Sequence, residues 1–266
     1  MSKQALYVGP DWILYAGPGG YDHSEMLAPA ILLGGPEDVL TCCLREGEEL
    51  SSICLLHPAG IWSSVVATRT IVIYLDPLSA AGQAIQHRPC TLKEAPQIHN
   101  RLLECNPGFE GVFSARLAPA DIRTLVSTVK AVVAVKNESQ LEDERLKLVA
   151  QELSKNPVGR LDLSSLAAVC GLSSERLRHL FKRQVGMTLS KYKTWQQLHA
   201  MFRHLVSTQG PAYDWKPHEA FLSAGFYDDS HGYRTIFQYF GTQRSDGDEE
   251  LLLVNCLGTV EGCEEV

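Results

Sequence analysis

Two glycine-centred segments about fifty residues apart share one pattern, and that repeat constrains the fold of this chain more than any other feature. Gly171, Phe181 and Gly186 are matched by Gly225, Ile236 and Gly241, with one extra residue following Gly225. In the first segment Leu163, Leu166, Ala167 and Cys170 fall on one face of a short helix. Gly171 then supplies the positive φ of a tight turn, and Ser173 or Ser174 can cap the next helix. In that second helix Leu177, Leu180, Phe181 and Val185 form an apolar stripe, which leaves Glu175, Arg178, His179, Lys182 and Arg183 facing outward. In the second segment Ala224-Gly225-Phe226 forms the turn. A helix over about Asp229 to Tyr239 follows, with Tyr233, Ile236, Phe237 and Phe240 as its stripe and Ser230 and Arg234 turned away. Between the segments, Leu189, Tyr192, Trp195, Leu198, Phe202 and Leu205 line one side of a long helix.

A short exposed helix carrying basic and hydrogen-bonding side chains over an apolar underside is what reading a DNA major groove requires. Any amphipathic helix also has a charged face, so the distribution of charge matters. Overall the 266 residues carry a net charge of −7, which argues against a nucleic-acid binder until the charge is read by segment. Residues 1–154 hold 12 basic and 18 acidic side chains, residues 155–244 hold 12 and 6, and residues 245–266 hold none and 7. The repeat therefore sits in a basic block between acidic flanks, as a phosphate-facing domain joined to a non-binding one would.

The front half has another rhythm. Ile31 to Leu33, Val39 to Leu44, Ile53 to Leu56, Val65-Val66 and Ile71 to Leu75 are short β-branched runs broken by turns such as Gly34-Gly35-Pro36 and His57-Pro58-Ala59-Gly60. This predicts a small antiparallel barrel or sandwich. From Pro119, the residues Ile122, Leu125, Val126, Val129, Val132 and Val133 keep helical spacing, in a stripe that either covers the β half or pairs with a second copy. The expected organisation is a β-rich domain over 1–118 with a helical segment over 119–137, a double helix-turn-helix domain over 138–245 and an acidic tail over 246–266. Leu251 to Val254 in that tail either fray in solvent or dock on the body or a partner.

Other chemistries find little support. Eight cysteines are scattered without a C-x-x-C pair, and Cys42 and Cys43 are expected to face opposite sides of a strand. His23 near Glu25 and the lone His57 stand without any His-x-His pair, and neither a G-x-S-x-G nucleophile turn nor a phosphate-binding glycine loop occurs. No cofactor, catalytic residue or metal is expected, and the chain is not read as an enzyme. Met1 to Pro10 lacks the basic start and apolar run of a secretory leader, and no stretch nears the roughly 18 apolar residues that cross a membrane. A cytoplasmic protein without membrane contact is expected. Trp12, Tyr15, His23, Trp62 and Tyr74 are candidates for lining a pocket in the β half.

Over about residues 141–241 the chain resembles the AraC-type family of bacterial transcriptional regulators. The resemblance rests on Leu166-Ala167, Gly171-Leu172-Ser173, Leu180-Phe181-Lys182-Arg183, Gly186-Met187-Thr188, Tyr192, Gly225-Phe226, Ser230, Arg234 and Phe240-Gly241. The front half is similar to the family's cupin-like arm through His57-Pro58-Ala59-Gly60 and Tyr74-Leu75-Asp76-Pro77. The resemblance implies a mainly-β cupin-like barrel followed by an all-α domain with two helix-turn-helix units joined by a long helix. It also implies that both second helices enter adjacent major grooves of double-stranded DNA. Glu175, Arg178 and His179 would then meet bases from the first unit, and Arg234 with Ser230 and His231 from the second, while Lys182 and Arg183 meet phosphates. A small-molecule effector, a homodimer, and RNA polymerase in the case of an activator are the further partners it implies. The second unit departs from the pattern: Gly232 stands where a large apolar residue is expected, and Phe237-Gln238 replaces the basic pair Lys182-Arg183. The first unit is therefore expected to bind DNA more strongly. Two other readings stay open, a regulator-like protein that acts through protein contacts alone and a cupin-type metalloenzyme.

Overall fold

The computed structural model describes residues 4–35, 38–45, 47–86, 93–105, 109–114, 116–134, 143–155, 161–208, 218–240 and 251–258. The domain boundaries expected near 137 and 245, the final glycine of the repeat, Gly241, and the side chain of His23 lie outside what is described.

Nine strands open the chain: β1 (Gln4–Val8), β2 (Trp12–Pro18), β3 (Tyr21–Glu25), β4 (Ala30–Gly34), β5 (Leu40–Leu44), β6 (Glu49–Ser52), β7 (Cys54–His57), β8 (Trp62–Val66) and β9 (Arg69–Leu75). Then come α1 (Ala80–Gln86), the short β10 (Lys93–Glu94), α2 (Pro96–Cys105), α3 (Phe109–Phe113) and α4 (Pro119–Ala134). The rest is α5 (Arg145–Lys155), α6 (Leu163–Val169), α7 (Ser174–Val185), α8 (Leu189–Thr208), α9 (His218–Ser223), α10 (Asp229–Phe240) and a last strand β11 (Leu251–Asn255).

The strands form two sheets, one of seven in the order β10-β7-β4-β9-β2-β1-β11 and one of four in the order β3-β8-β5-β6. This corrects the expected barrel: no described strand joins the two sheets, so the β half is an open sandwich. Both faces of the large sheet are covered, which explains its nearly continuous apolar runs. Along β9, Ile71, Ile73 and Leu75 face a core shared with α1, α2 and α4. Val72 and Tyr74 face the other core, with Leu40, Cys42 and Val65 of the small sheet. The apolar stripe that Pro119 opens thus covers the β half, with Ile122, Leu125, Val126, Val129 and Val133 buried. As expected from alternation, Cys42 is fully buried and Cys43 is not.

The tail returns to this sheet. β11 pairs in parallel with β1, Gln4 opposite Leu251 and Val8 opposite Asn255, so these five residues are an edge strand and not a frayed terminus. His57 is a satisfied core histidine, its Nδ1 2.8 Å from the Pro58 carbonyl and its Nε2 2.8 Å from Ser63 Oγ. Among the described residues no helix is long and apolar enough to cross a membrane.

Candidate nucleic-acid interface

The two repeat segments fold the same way, and the hydrogen bonds give the reason. α6 starts at Asp162, whose carboxylate accepts from the Ser164 and Ser165 amides at 3.0 and 3.2 Å. It stops at Gly171, which takes φ +64° while the Leu172 amide reaches back 2.9 Å to the Ala167 carbonyl. In the second unit Gly225 has φ +81°, and the Phe226 amide reaches back 3.0 Å to the Phe221 carbonyl. The turns are equivalent to that point. In the first, Ser173 follows at once as the N-cap, accepting from the Arg176 amide at 3.3 Å. In the second, Tyr227 intervenes before Asp228 caps α10 by accepting from the His231 amide at 2.7 Å. Tyr227 is thus the extra residue of the repeat, and it is 87% exposed.

α7 buries Leu177, Leu180, Phe181 and Val185 and ends at Gly186 in the left-handed region. Glu175, Arg178, His179, Lys182 and Arg183 are all exposed, on the arc opposite that stripe. Glu175 and His179 stand 3.8 Å apart, one turn from each other. Arg176 is exposed too, seven residues before Arg183 on the same side of the helix. Sequence reasoning passed over it, although its i, i+7 spacing from Arg183 marks the shared side. Arg183 also lies near Asp143 at the start of α5, whose carboxyl is held below the usual range mainly by hydrogen bonds from Arg145, with Arg183 adding to the effect.

α10 is turned differently from the expectation. Its buried residues are Gly232, Thr235 and Tyr239, with Tyr233, Ile236 and Phe240 partly buried, and Phe237, expected in the stripe, is 51% exposed. The reason is Phe221 on α9: a Cβ on Gly232 would stand 2.3 Å from its ring, so the glycine is what lets the ring lie against the helix. Ser230, His231 and Arg234 are exposed as expected. Two of them are engaged locally, Arg234 Nε donating to the Ser230 carbonyl at 3.1 Å and the His231 ring meeting Phe226 edge-on at 5.4 Å. The exposed face of α10 therefore offers Arg234, His231, Phe237 and Gln238, where that of α7 offers four or five cations.

α8 joins the units and buries Trp195, Leu198, Phe202 and Leu205. It is also where the helical part docks on the β half. Trp195 Nε1 and Gln196 Nε2 donate to Asp76 at 3.3 and 3.2 Å, and His199 Nε2 meets the Gly9 carbonyl at 2.9 Å. Lys191 pairs with Glu25, and Gln86 Nε2 donates to the Gly186 carbonyl at 3.4 Å. Burial pushes the Asp76 carboxyl up to about 6 despite the amide of Leu78 and the two side-chain donors, and it pushes His199 down to about 4. From the far side, Asn255 of β11 donates to the Val206 carbonyl at 3.4 Å. Of the aromatic residues expected to line a pocket, Tyr15 and Tyr74 border a cavity, Trp12 is packed in the α-facing core and Trp62 is at the surface.

No family model matches the chain. Among curated proteins, it is 32% identical over 72 residues to the bifunctional transcriptional activator and DNA repair enzyme AdaA of Bacillus subtilis. That match takes in 27% of this chain and spans about a third of the relative's length, 34%. Among solved structures, ToxT from Vibrio cholerae bound to an unsaturated fatty acid superposes with a TM-score of 0.52 at 7% identity, over 87% of this chain and 92% of ToxT. A second structure of ToxT gives 0.52 at 8% identity over 90% and 92% of the two chains. The two-part fold, β-rich in front and helical behind, is therefore that of ToxT, and these likenesses accord with the AraC-type resemblance carried by the sequence.

Proposed function

We propose that this chain is a sequence-specific DNA-binding transcriptional regulator, governed by a small-molecule effector or by dimerisation through its β-rich front part. One observation carries the reading: two glycine-turn units with the same back-bonded geometry hang from one helix, and the first presents an unburied cationic arc. At 1.5 Å per residue the twenty residues of α8 measure about 30 Å, close to the ~34 Å between successive major-groove faces on one side of DNA.

In this reading residues 138–245 are the DNA-binding part, and α6–α7 and α9–α10 are its helix-turn-helix units. Glu175, Arg178 and His179 read base edges in one groove, and Arg234 with Ser230 and His231 in the next. Lys182, Arg183 and, added by the structure, Arg176 hold phosphates. Residues 1–118, a cupin-like sandwich, and the helix within 119–137 are the sensing or dimerising part. The ToxT structures solved with an unsaturated fatty acid and with (E)-4-(8-methylnaphthalen-1-yl)but-3-enoic acid support small-molecule control. RNA polymerase is a partner if the protein activates. The protein is not an enzyme in this account.

The exposed Tyr227 and Phe237 favour a second reading of the second unit alone, as a surface for a protein partner. Selection of bound duplexes from random DNA by the full-length protein tests both. Two conserved half-sites about one helical turn apart are expected if both units read DNA, and one half-site if only α7 does. Recovery of no common sequence overturns the proposal.

A further inference from the structure

The corner that follows α7, Gly186-Met187-Thr188, is held by the β half from both sides. On one side stands Gln86, the last residue of α1, which is buried. Its Oε1 accepts from the Ala59 amide at 2.8 Å, and its Nε2 donates to the Gly186 carbonyl at 3.4 Å. A carboxamide suits this place because one end must accept while the other donates, and a carboxylate only accepts. A Cβ on Gly186 would stand 2.5 Å from Gln86 Cγ, so the close approach needs glycine as much as the left-handed turn does. On the other side, Glu25 of β3 pairs with Lys191 in the first turn of α8. Thr188 caps that helix by accepting from the Lys191 amide at 3.3 Å. Met187, between the two grips, is buried.

The grips share one footing, the turn His57-Pro58-Ala59-Gly60. It is pinned to Met26, the neighbour of Glu25: the Gly60 amide donates to the Met26 carbonyl at 2.7 Å, and the Met26 amide to the Ile61 carbonyl at 3.2 Å. Within the turn both nitrogens of the His57 ring are bonded. Ala59, which Gln86 holds, and Glu25 are therefore parts of one hydrogen-bonded ledge. Hydrogen bonds to base edges need a helix set to within about half an ångström, whereas attraction to phosphates tolerates looser placement.

We infer that Gln86 is a positioning residue for α7: with Glu25 it fixes the α7–α8 corner on this ledge, and the β half thereby sets how the first helix meets DNA. The inference rests on the regulator reading for what α7 does, and on the two grips alone for how α7 is held.

Gln86→Met, in the full-length protein, keeps the length of the side chain and removes both hydrogen bonds. Without DNA, amide hydrogen exchange over residues 182–191 is expected to quicken about fivefold, the factor one hydrogen bond is worth. With DNA, the preference for a selected over a scrambled duplex is expected to fall by about the same fivefold factor. Affinity for the scrambled duplex and its salt slope should stay as in the wild type, because the cations of α7 are untouched. A residue that only stabilises the fold would lower the thermal midpoint and leave the preference intact. Glu25→Gln stays informative if Gln86→Met fails to fold. It removes an acid, so charge alone would tighten binding to both duplexes equally, whereas lost positioning lowers the preference between them. Unchanged exchange in Gln86→Met, or an undiminished preference in a folded variant, overturns the inference. A wild-type protein that prefers neither duplex contradicts the regulator reading and with it the DNA half of the inference, while quickened exchange still supports the grip.

Discussion

The ring of Phe221 occupies the place where a side chain on Gly232 would stand, 2.3 Å from an added Cβ. In an unpacked helix, Gly to Ala is stabilising by about 1 kcal/mol. Here the clash opposes that gain, and overpacking of a closed contact costs about 1–3 kcal/mol. Gly232→Ala is therefore expected to lower the thermal midpoint, and Phe221→Ala combined with it to recover part of the loss. A rise in midpoint for the single variant would show that Phe221 moves aside freely.

The two helices proposed to read DNA present unequal faces, α7 an exposed cationic arc and α10 few cations. Arg178→Ala is expected to weaken specific binding by about 1–3 kcal/mol and to relax preference at one base position. Arg234→Ala should cost less, because its guanidinium already bonds its own helix at the Ser230 carbonyl. Equal losses in a binding titration would contradict the ranking.

Acid destabilisation follows from two buried histidines. His57 and His199 are both pushed down to about 4 by burial, so the unfolded chain binds protons that the folded one refuses. Their contribution is present above about 6.5 and is lost as pH falls toward 4. Asp76, pushed up to about 6, works the other way between about 4 and 6, where the folded form binds the extra proton. Two groups outweigh one, so unfolding free energy is expected to decrease as pH is lowered across this window. His199→Asn should flatten the slope and Asp76→Asn should steepen it in denaturant titrations.

β11 covers the β1 edge, and an uncovered edge strand invites pairing between molecules. Deleting residues 251–266 is expected to lower the thermal midpoint and to raise light scattering on standing. An unchanged midpoint would mean that the strand contributes no stability.

Much of the helical half was legible in the sequence because its signals are local. Gly171 and Gly225 mark turns through a backbone conformation that few other residues adopt, and the α7 stripe repeats at helical spacing. The orientation of α10 was not legible, since it is set by Phe221 reaching Gly232 from another helix. Nor was the pairing of β1 with β11, whose partners lie at opposite ends of the chain. The apolar runs Ile31 to Leu33 and Ile71 to Leu75 marked strands but not that helices cover one face of their sheet and a second sheet the other.

The central claim is tested most directly by fluorescence anisotropy of the full-length protein with a selected duplex and a scrambled one, repeated across salt concentrations. The selected duplex is expected to bind about a thousandfold more tightly. Affinity is expected to fall steeply with salt, and Lys182→Ala to reduce that slope by about one. Equal affinity for both duplexes, or affinity indifferent to salt, would contradict it.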